Sequence, residues 1–371
     1  MLAFLRPVAS IRGAWSDPPP VRDGGGVTTP ARAHTNRAVA SPGFVELHGG
    51  DSCVVLVPGL GGKIRDITLA GRQWLWHNPD VPFTLSAPHA EPTPPADTGG
   101  FDDLFPTLRE CLIPTWVQGV RNRQLPEGGE LWVEQPEFSV AADEHGPSAT
   151  CRWTGIAMPY ELSRTLTVRM DGSVTFSYAL KNGGTHRLPF LWASWPVLPL
   201  TQHTRIVLPE GARTRLLSQH GIAIGRAGSE HRWPRLRVGS SLVDLAQPAM
   251  SLQDDYAVKL FVDLPRNEAL VALEEENVRL EMHLNGRDIP NVGVWIDRRG
   301  SSPPTVARRW GVPLLPAKSS RSKMNVVLGP CRGAPDSLSD ALGTWDDAHW
   351  VEAGATSRWS MTWRGVRIEP A

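Results

Sequence analysis

The stretch LSRTLTVRMDGSVTFSYAL, Leu162 to Leu180, decides the fold. Leu162, Arg164, Leu166, Val168 and Met170 recur at every second residue, and after the Asp171-Gly172 pair the same interval resumes at Val174, Phe176, Tyr178 and Leu180. A period of two marks a strand with one buried face. Asp-Gly between two such runs supplies the positive φ of a tight hairpin turn, whose twist matches that of the strands. The stretch therefore predicts an antiparallel hairpin.

Outward from it the pattern repeats. Val278, Leu280, Met282 and Leu284 alternate, as do Trp359, Met361 and Trp363, which read as core positions of a C-terminal strand. SCVVLVPG, from Ser52, is a continuous apolar run that predicts a strand buried on both faces. GLGG at Gly59 to Gly62 precedes a strand pattern, not a helix, so it reads as a turn and not as a phosphate cradle. Helical signals are short. Asp336 or Ser337 can cap a turn through Leu338, Ala341 and Leu342, with Gly343 as the stop, and FDDLFPTLREC from Phe101 suggests another turn. ALEEEN, Ala272 to Asn277, reads as an exposed acidic turn. Many short strands with Gly and Pro turns predict an all-β fold, a large antiparallel β-sandwich with a few short helical turns.

Residues 1–42 are rich in Pro, Gly and Arg without apolar periodicity, and predict a disordered or weakly ordered leader. Residues 43–371 read as a single domain. Within it, Pro79 to Gly100 predicts a long surface loop of a kind that often lies over a site.

The 371 residues carry 38 basic and 38 acidic side chains, a formal net charge of +0, with no long one-signed run. That balance argues against a nucleic-acid partner. The four cysteines, Cys53, Cys111, Cys151 and Cys331, show no short spacing of a zinc site or a disulfide framework, so no metal is expected and reduced thiols are. No dinucleotide fingerprint, phosphate loop or HExxH occurs, and no cofactor is expected. No apolar run approaches the roughly 20 residues of a membrane span. A soluble, cytoplasmic protein with a neutral small-molecule partner is the expectation.

Four ordered segments resemble the aldose 1-epimerase, or galactose mutarotase-like, family: VPGLGGKIRDITLAGRQWLWHNP from Val57; GGFDDLFPTL from Gly99, continuing to EGGELW from Glu127; LPFLWASWPVL from Leu188; and IPNVGVWIDRRG from Ile289, leading to VVLGPCRGAPDSL from Val326. The resemblance spans roughly residues 44 to 366. It implies a supersandwich in which a carboxylate takes the proton from a sugar's anomeric hydroxyl while a histidine protonates the ring oxygen. Such chemistry needs two groups that exchange protons near neutral pH on either side of the hemiacetal.

Carried over residue by residue, the three proton-handling positions are substituted. Gly329 stands where the family has its glutamate before Pro330, Trp195 where a histidine precedes Pro196, and Gly128 where a histidine precedes Gly-Glu-Leu-Trp. Glycine has no side chain and indole does not titrate. Among ionisable neighbours, Glu130 is the remaining catalytic candidate, with His203 or His283 as possible partners. Asp102, Asp103 and Arg109 are candidates for holding sugar hydroxyls. Trp132, Trp192 and Trp195 are candidates for stacking on a sugar face, in a chain with fifteen tryptophans and three tyrosines.

The resulting expectation is a carbohydrate-binding protein whose ligand is a monosaccharide or sugar derivative and whose epimerase chemistry is weakened or lost. The alternative is an active epimerase that uses Glu130 with His203 or His283. No pair of carboxylates assignable to flanking a glycosidic bond is found, which argues against a glycosidase.

Overall fold

The computed structural model describes residues 37–41, 43–78, 98–132, 134–251, 255–298 and 324–369. Most of the expected leader and most of the Pro79–Gly100 loop lie outside the described residues. Arg37–Ser41, on the leader side of the expected boundary, is a strand paired antiparallel with Phe44–Gly49.

Two antiparallel sheets of twelve and eight strands pack face to face, with three small two-stranded ribbons beside them. The Leu162–Leu180 reading holds: strands Tyr160–Val168 and Val174–Asn182 pair with Val168 opposite Val174, and Gly172 in the turn has φ +75°. These two strands lie in the middle of the eight-stranded sheet, next to the C-terminal strand Thr356–Arg367. In the larger sheet the strands Lys63–Leu69, Phe101–Leu104, Trp192–Pro199, Met324–Arg332, Asn291–Arg298, Tyr256–Asp263, Arg213–His220 and Glu230–Arg232 run side by side in that order.

The inner faces meet through aromatic rings. Phe101 of the large sheet lies 5.4 Å from Phe176 and 5.4 Å from Trp363 of the other, ring centre to ring centre. Trp359 stacks on Tyr178 at 5.4 Å, so the C-terminal tryptophans are core, as their spacing predicts. Such offset and tilted pairs add about 0.5–1.5 kcal/mol each beyond the area they bury.

An ion pair crosses this apolar layer. Arg164, on the inner face where its interval of two puts it, donates through Nη1 to Asp103 Oδ2 at 2.6 Å and through Nη2 to the Gly62 carbonyl. Tyr178 Oη and Trp192 Nε1 donate to the other Asp103 oxygen at 3.0 and 3.2 Å. The guanidinium thus ties the hairpin to the Gly61–Gly62 turn and to the large sheet. Buried charge is tolerated only when paired and hydrogen-bonded in this way.

Three local expectations are corrected. FDDLFPTLREC holds a strand, Phe101–Leu104, and no helical turn, because Phe101 and Asp103 must face the core on alternate positions. Ser52–Val57 is half-buried, with Cys53 and Val55 on its more open side. In ALEEEN only the last two residues, Glu276 and Asn277, are a turn: Glu275 ends the strand Glu268–Glu275, is buried and accepts hydrogen bonds from Thr201 Oγ1 and Thr204 Oγ1, with Arg72 beside it. The helix Leu338–Leu342 forms as its caps predict, with Ser337 Oγ accepting from the Asp340 amide. No helix among the described residues is long and apolar enough to cross a membrane.

Candidate functional site

The site is best built along one line across the outer face of the large sheet. Inner-facing Phe101 and Asp103 flank Asp102, so Asp102 points outward, where it forms an ion pair with Lys63 of the next strand. Asp102 lies opposite Trp195. Ala193 pairs with Cys331 and Val197 with Val327, which brings Trp195 level with Gly329. Gly329 is opposite Gly293, Gly293 opposite Phe261, Phe261 opposite Arg215, and Arg215 opposite Glu230.

Lys63, Asp102, Trp195, Gly329, Gly293, Phe261, Arg215 and Glu230 therefore form a single rung over eight strands. Its middle has two glycines between an indole and a phenyl ring. A Cβ built on Gly293 would meet only Phe261 at 3.6 Å and the Gly329 carbonyl at 3.7 Å, ordinary contacts. A Cβ on Gly329 would sit 2.4 Å from the Ser194 carbonyl oxygen, so no side chain fits there unless the backbone shifts.

Charged groups rise beside this rung. Lys259, two residues from Phe261 on the same face, places Nζ 4.1 Å from the centre of the Trp195 ring and 2.7 Å from the Asp336 carboxylate. The segment after the short helix folds over the far end: Trp345 packs edge-on against Phe261 at 5.8 Å, and Arg215 lies over the Trp345 ring at 4.1 Å while pairing with Asp347 at 3.0 Å. A cavity of about 740 Å³ opens there, with Arg213, Arg215, Asp263, Asn291, Trp345 and Asp347 in its wall. Guanidinium–carboxylate pairs and an indole there supply donors, acceptors and a flat apolar surface.

Burial sets the charge states. It pushes Asp102 up, against the pull of Lys63 beside it. It raises Asp347 to about 6 even with Arg215 as a partner. His349, also lining the cavity, is held down at about 4, by burial first and by Arg332 second, and is neutral at pH 7.

The other sequence candidates are placed differently. Asp103 and Trp192 point into the inter-sheet core, where Asp103 joins Trp192, Arg164 and Tyr178. Glu130 is buried too. Its carboxylate accepts from the Ala157 amide at 2.6 Å and the Ile156 amide at 3.3 Å, bracing the loop between two strands of the smaller sheet. Neither histidine joins it: His203 pairs with Glu276 at 3.6 Å, and His283 with Glu281 at 3.0 Å on the exposed side of the smaller sheet. Arg109 is exposed, and its amide and that of Leu108 donate to the Asp336 carbonyl.

Gly128, at φ +76°, donates its amide to the Leu108 carbonyl and lies against Trp132, whose ring a Cβ at 128 would strike at 2.4 Å. It is thus linked to Asp336 through one residue of backbone. Lys63, Lys259, Arg215 and Asp347 were missed by sequence reasoning, and Asp336 was read only as a helix cap. They belong to strands and loops far apart in the chain and share no local spacing.

No family model matches the sequence, and no curated protein matches it. Solved structures do. The Slr1438 protein of Synechocystis sp. PCC 6803 superposes with a TM-score of 0.58 at 13% identity, covering 92% of this chain and 99% of that one. A putative aldose 1-epimerase of Escherichia coli K12 gives 0.57 at 15% identity, covering 88% and 99%. A putative mutarotase, YeaD, of Salmonella typhimurium gives 0.52 at 12% identity, covering 90% and 97%. The chain has the galactose mutarotase-like fold.

Within a galactose mutarotase-like fold the two central rung positions take on meaning. The resemblance assigns the histidine position to Trp195 and the glutamate position to Gly329, residues 134 apart in sequence that the strand order sets side by side. Neither side chain can carry a proton to or from a hemiacetal. On this face Trp195 and Phe261 stand on either side of the two glycines, with the Lys259–Asp336 pair beside Trp195.

Proposed function

We propose that the protein binds a monosaccharide or sugar derivative on the outer face of its large sheet, and that epimerase chemistry is weakened or lost. The observation that carries this reading is the Trp195–Gly329–Gly293–Phe261 rung. Aromatic walls about a floor without side chains suit the apolar C–H face of a pyranose, and the Lys259–Asp336 pair and the arginine-lined cavity supply hydroxyl partners. Removing a general acid or base costs about two to four orders of magnitude in rate, and both expected groups are absent from the rung. All four cysteines are free, which supports a reducing, cytoplasmic setting.

Titration calorimetry against hexoses, pentoses and sugar phosphates tests the reading. Binding of at least one sugar that is lost in Trp195→Ala is the expected result; no heat with any of them overturns it.

A second reading, an active epimerase with relocated proton carriers, is favoured by the same ion pair. In this reading Asp336 accepts the anomeric proton and Lys259 protonates the ring oxygen, since Lys259 stands over the Trp195 ring and holds the Asp336 carboxylate. Polarimetry of freshly dissolved α-glucose and α-galactose separates the two. A protein-dependent rate abolished by Asp336→Asn selects the enzyme, and no acceleration selects the binding protein.

A further inference from the structure

The hairpin of Phe44–Gly49 and Ser52–Val57 lies near one flank of the large sheet, away from the rung centre. Its inner side is apolar, with Val45, Leu47, Val54 and Leu56 in the core. Its outer side carries different chemistry. Glu46 and His48 stand two residues apart on one strand, and Cys53 lies directly opposite His48 on the other. His48 Nε2 is 3.1 Å from Glu46 Oε2 and 3.8 Å from Cys53 Sγ, and all three donor atoms lie within 4.8 Å of one another.

His48 Nε2 thus lies between a carboxylate oxygen and a thiol sulfur. A cation at the centre of the triangle satisfies all three groups. Zinc bonds of about 2.0–2.3 Å at tetrahedral angles set neighbouring ligands roughly 3.3–3.7 Å apart, and the His48–Glu46 and His48–Cys53 separations bracket that spacing. Thiolate, imidazole and carboxylate are all zinc ligands, while a thiolate selects against magnesium and calcium. Both strands are fixed by backbone pairing, so closing the cluster needs only side-chain rotation. Cys53 is also the one free cysteine that is not fully buried.

We propose that Glu46, His48 and Cys53 form a zinc site with three protein ligands and one position open to water. The carboxylate of Glu46 beside His48 supplies the negative charge that a bound cation needs.

The test uses the full-length protein, stripped with chelator and desalted. Zinc is titrated in competition with a chromogenic chelator, cobalt(II) is added to a second sample, and alkylation at Cys53 is followed by mass spectrometry. We expect one zinc per chain, a thiolate-to-cobalt charge-transfer band, and Cys53 protected by zinc. Cys53→Ser and His48→Gln should each weaken binding by about 100-fold or more, beyond the 10–100-fold typical of losing an outer-shell partner. Glu46→Gln should weaken it less. No stoichiometric binding by the wild type, or equal affinity in Cys53→Ser, overturns the proposal. Should the variants fail to fold, the wild type decides alone: no charge-transfer band and no protection of Cys53 overturns it.

Discussion

The Lys259 ammonium lies 4.1 Å from the centre of the Trp195 indole while holding the Asp336 carboxylate at 2.7 Å. The indole is therefore both a flat apolar surface and the seat of a cation, and its loss should be felt by a ligand before it is felt by the fold. Trp195→Ala is expected to weaken sugar binding about tenfold or more, roughly 1.4 kcal/mol, with Trp195→Phe intermediate. Titration calorimetry checks the affinity, and a melting curve checks that the variant is folded.

Asp103 is the acidic end of an ion pair fully buried between the two sheets. Asp103→Asn leaves Arg164 charged and buried without a counter-ion, which costs about 3–5 kcal/mol. The exposed ion-pairing residue Asp171 offers the contrast, since surface pairs are worth about 0–1 kcal/mol. Urea unfolding of Asp103→Asn beside Asp171→Asn should give a large and a small shift in midpoint.

Two neighbours on the cavity wall titrate with opposite effect. Burial raises Asp347 from 3.8 to about 6, so between those values the folded chain binds more protons than the unfolded one. Its contribution to stability is greatest below about pH 4 and is lost as pH rises to 6. His349 is lowered from 6.5 to about 4, so its contribution is present above about pH 6.5 and is lost as pH falls to 4. Relative to wild type, Asp347→Asn should lose stability as pH drops from 7 to 4, and His349→Gln should gain it. Denaturant midpoints at several pH values separate the two.

Gly128 and Gly71 have nearly the same backbone, φ +76° and +77°, yet different surroundings. Nothing lies within 4 Å of a Cβ at 71, whereas one at 128 would strike the Trp132 ring. Gly71→Ala should cost only the conformational penalty of about 1–2 kcal/mol. Gly128→Ala should cost more and should perturb Trp132, visible as a change in near-ultraviolet circular dichroism.

Glu130 holds the amides of Ile156 and Ala157. Glu130→Ala leaves two backbone donors without their acceptor and should cost about 1–3 kcal/mol in melting experiments, while sugar affinity measured by calorimetry stays unchanged.

The sequence carried the fold well because strand alternation is local. The run from Leu162 to Leu180 announced its hairpin, its turn and even the inward face of Arg164. It did not announce that Asp103 would be the partner of Arg164, since 61 residues separate them and only the packing of two sheets joins them. The site was legible in part for the same reason. Trp195 and Gly329 were found through a resemblance, not through spacing, whereas Lys259, Arg215 and Asp347 reach them by a strand order that interleaves distant segments. The His48–Cys53 pairing belongs to a different case: its ligands come from two sides of a hairpin, so the absence of any zinc-type spacing along one strand said nothing about them.

The Ser194 carbonyl beside Gly329 limits what can replace the glycine. Introducing a carboxylate at position 329 is not one codon change but a coupled event, because the adjoining strand must yield before any larger residue is accommodated. Engineering of a proton carrier on this face would therefore do better to start from Asp336 and Lys259, where charge already stands, than from the glycine.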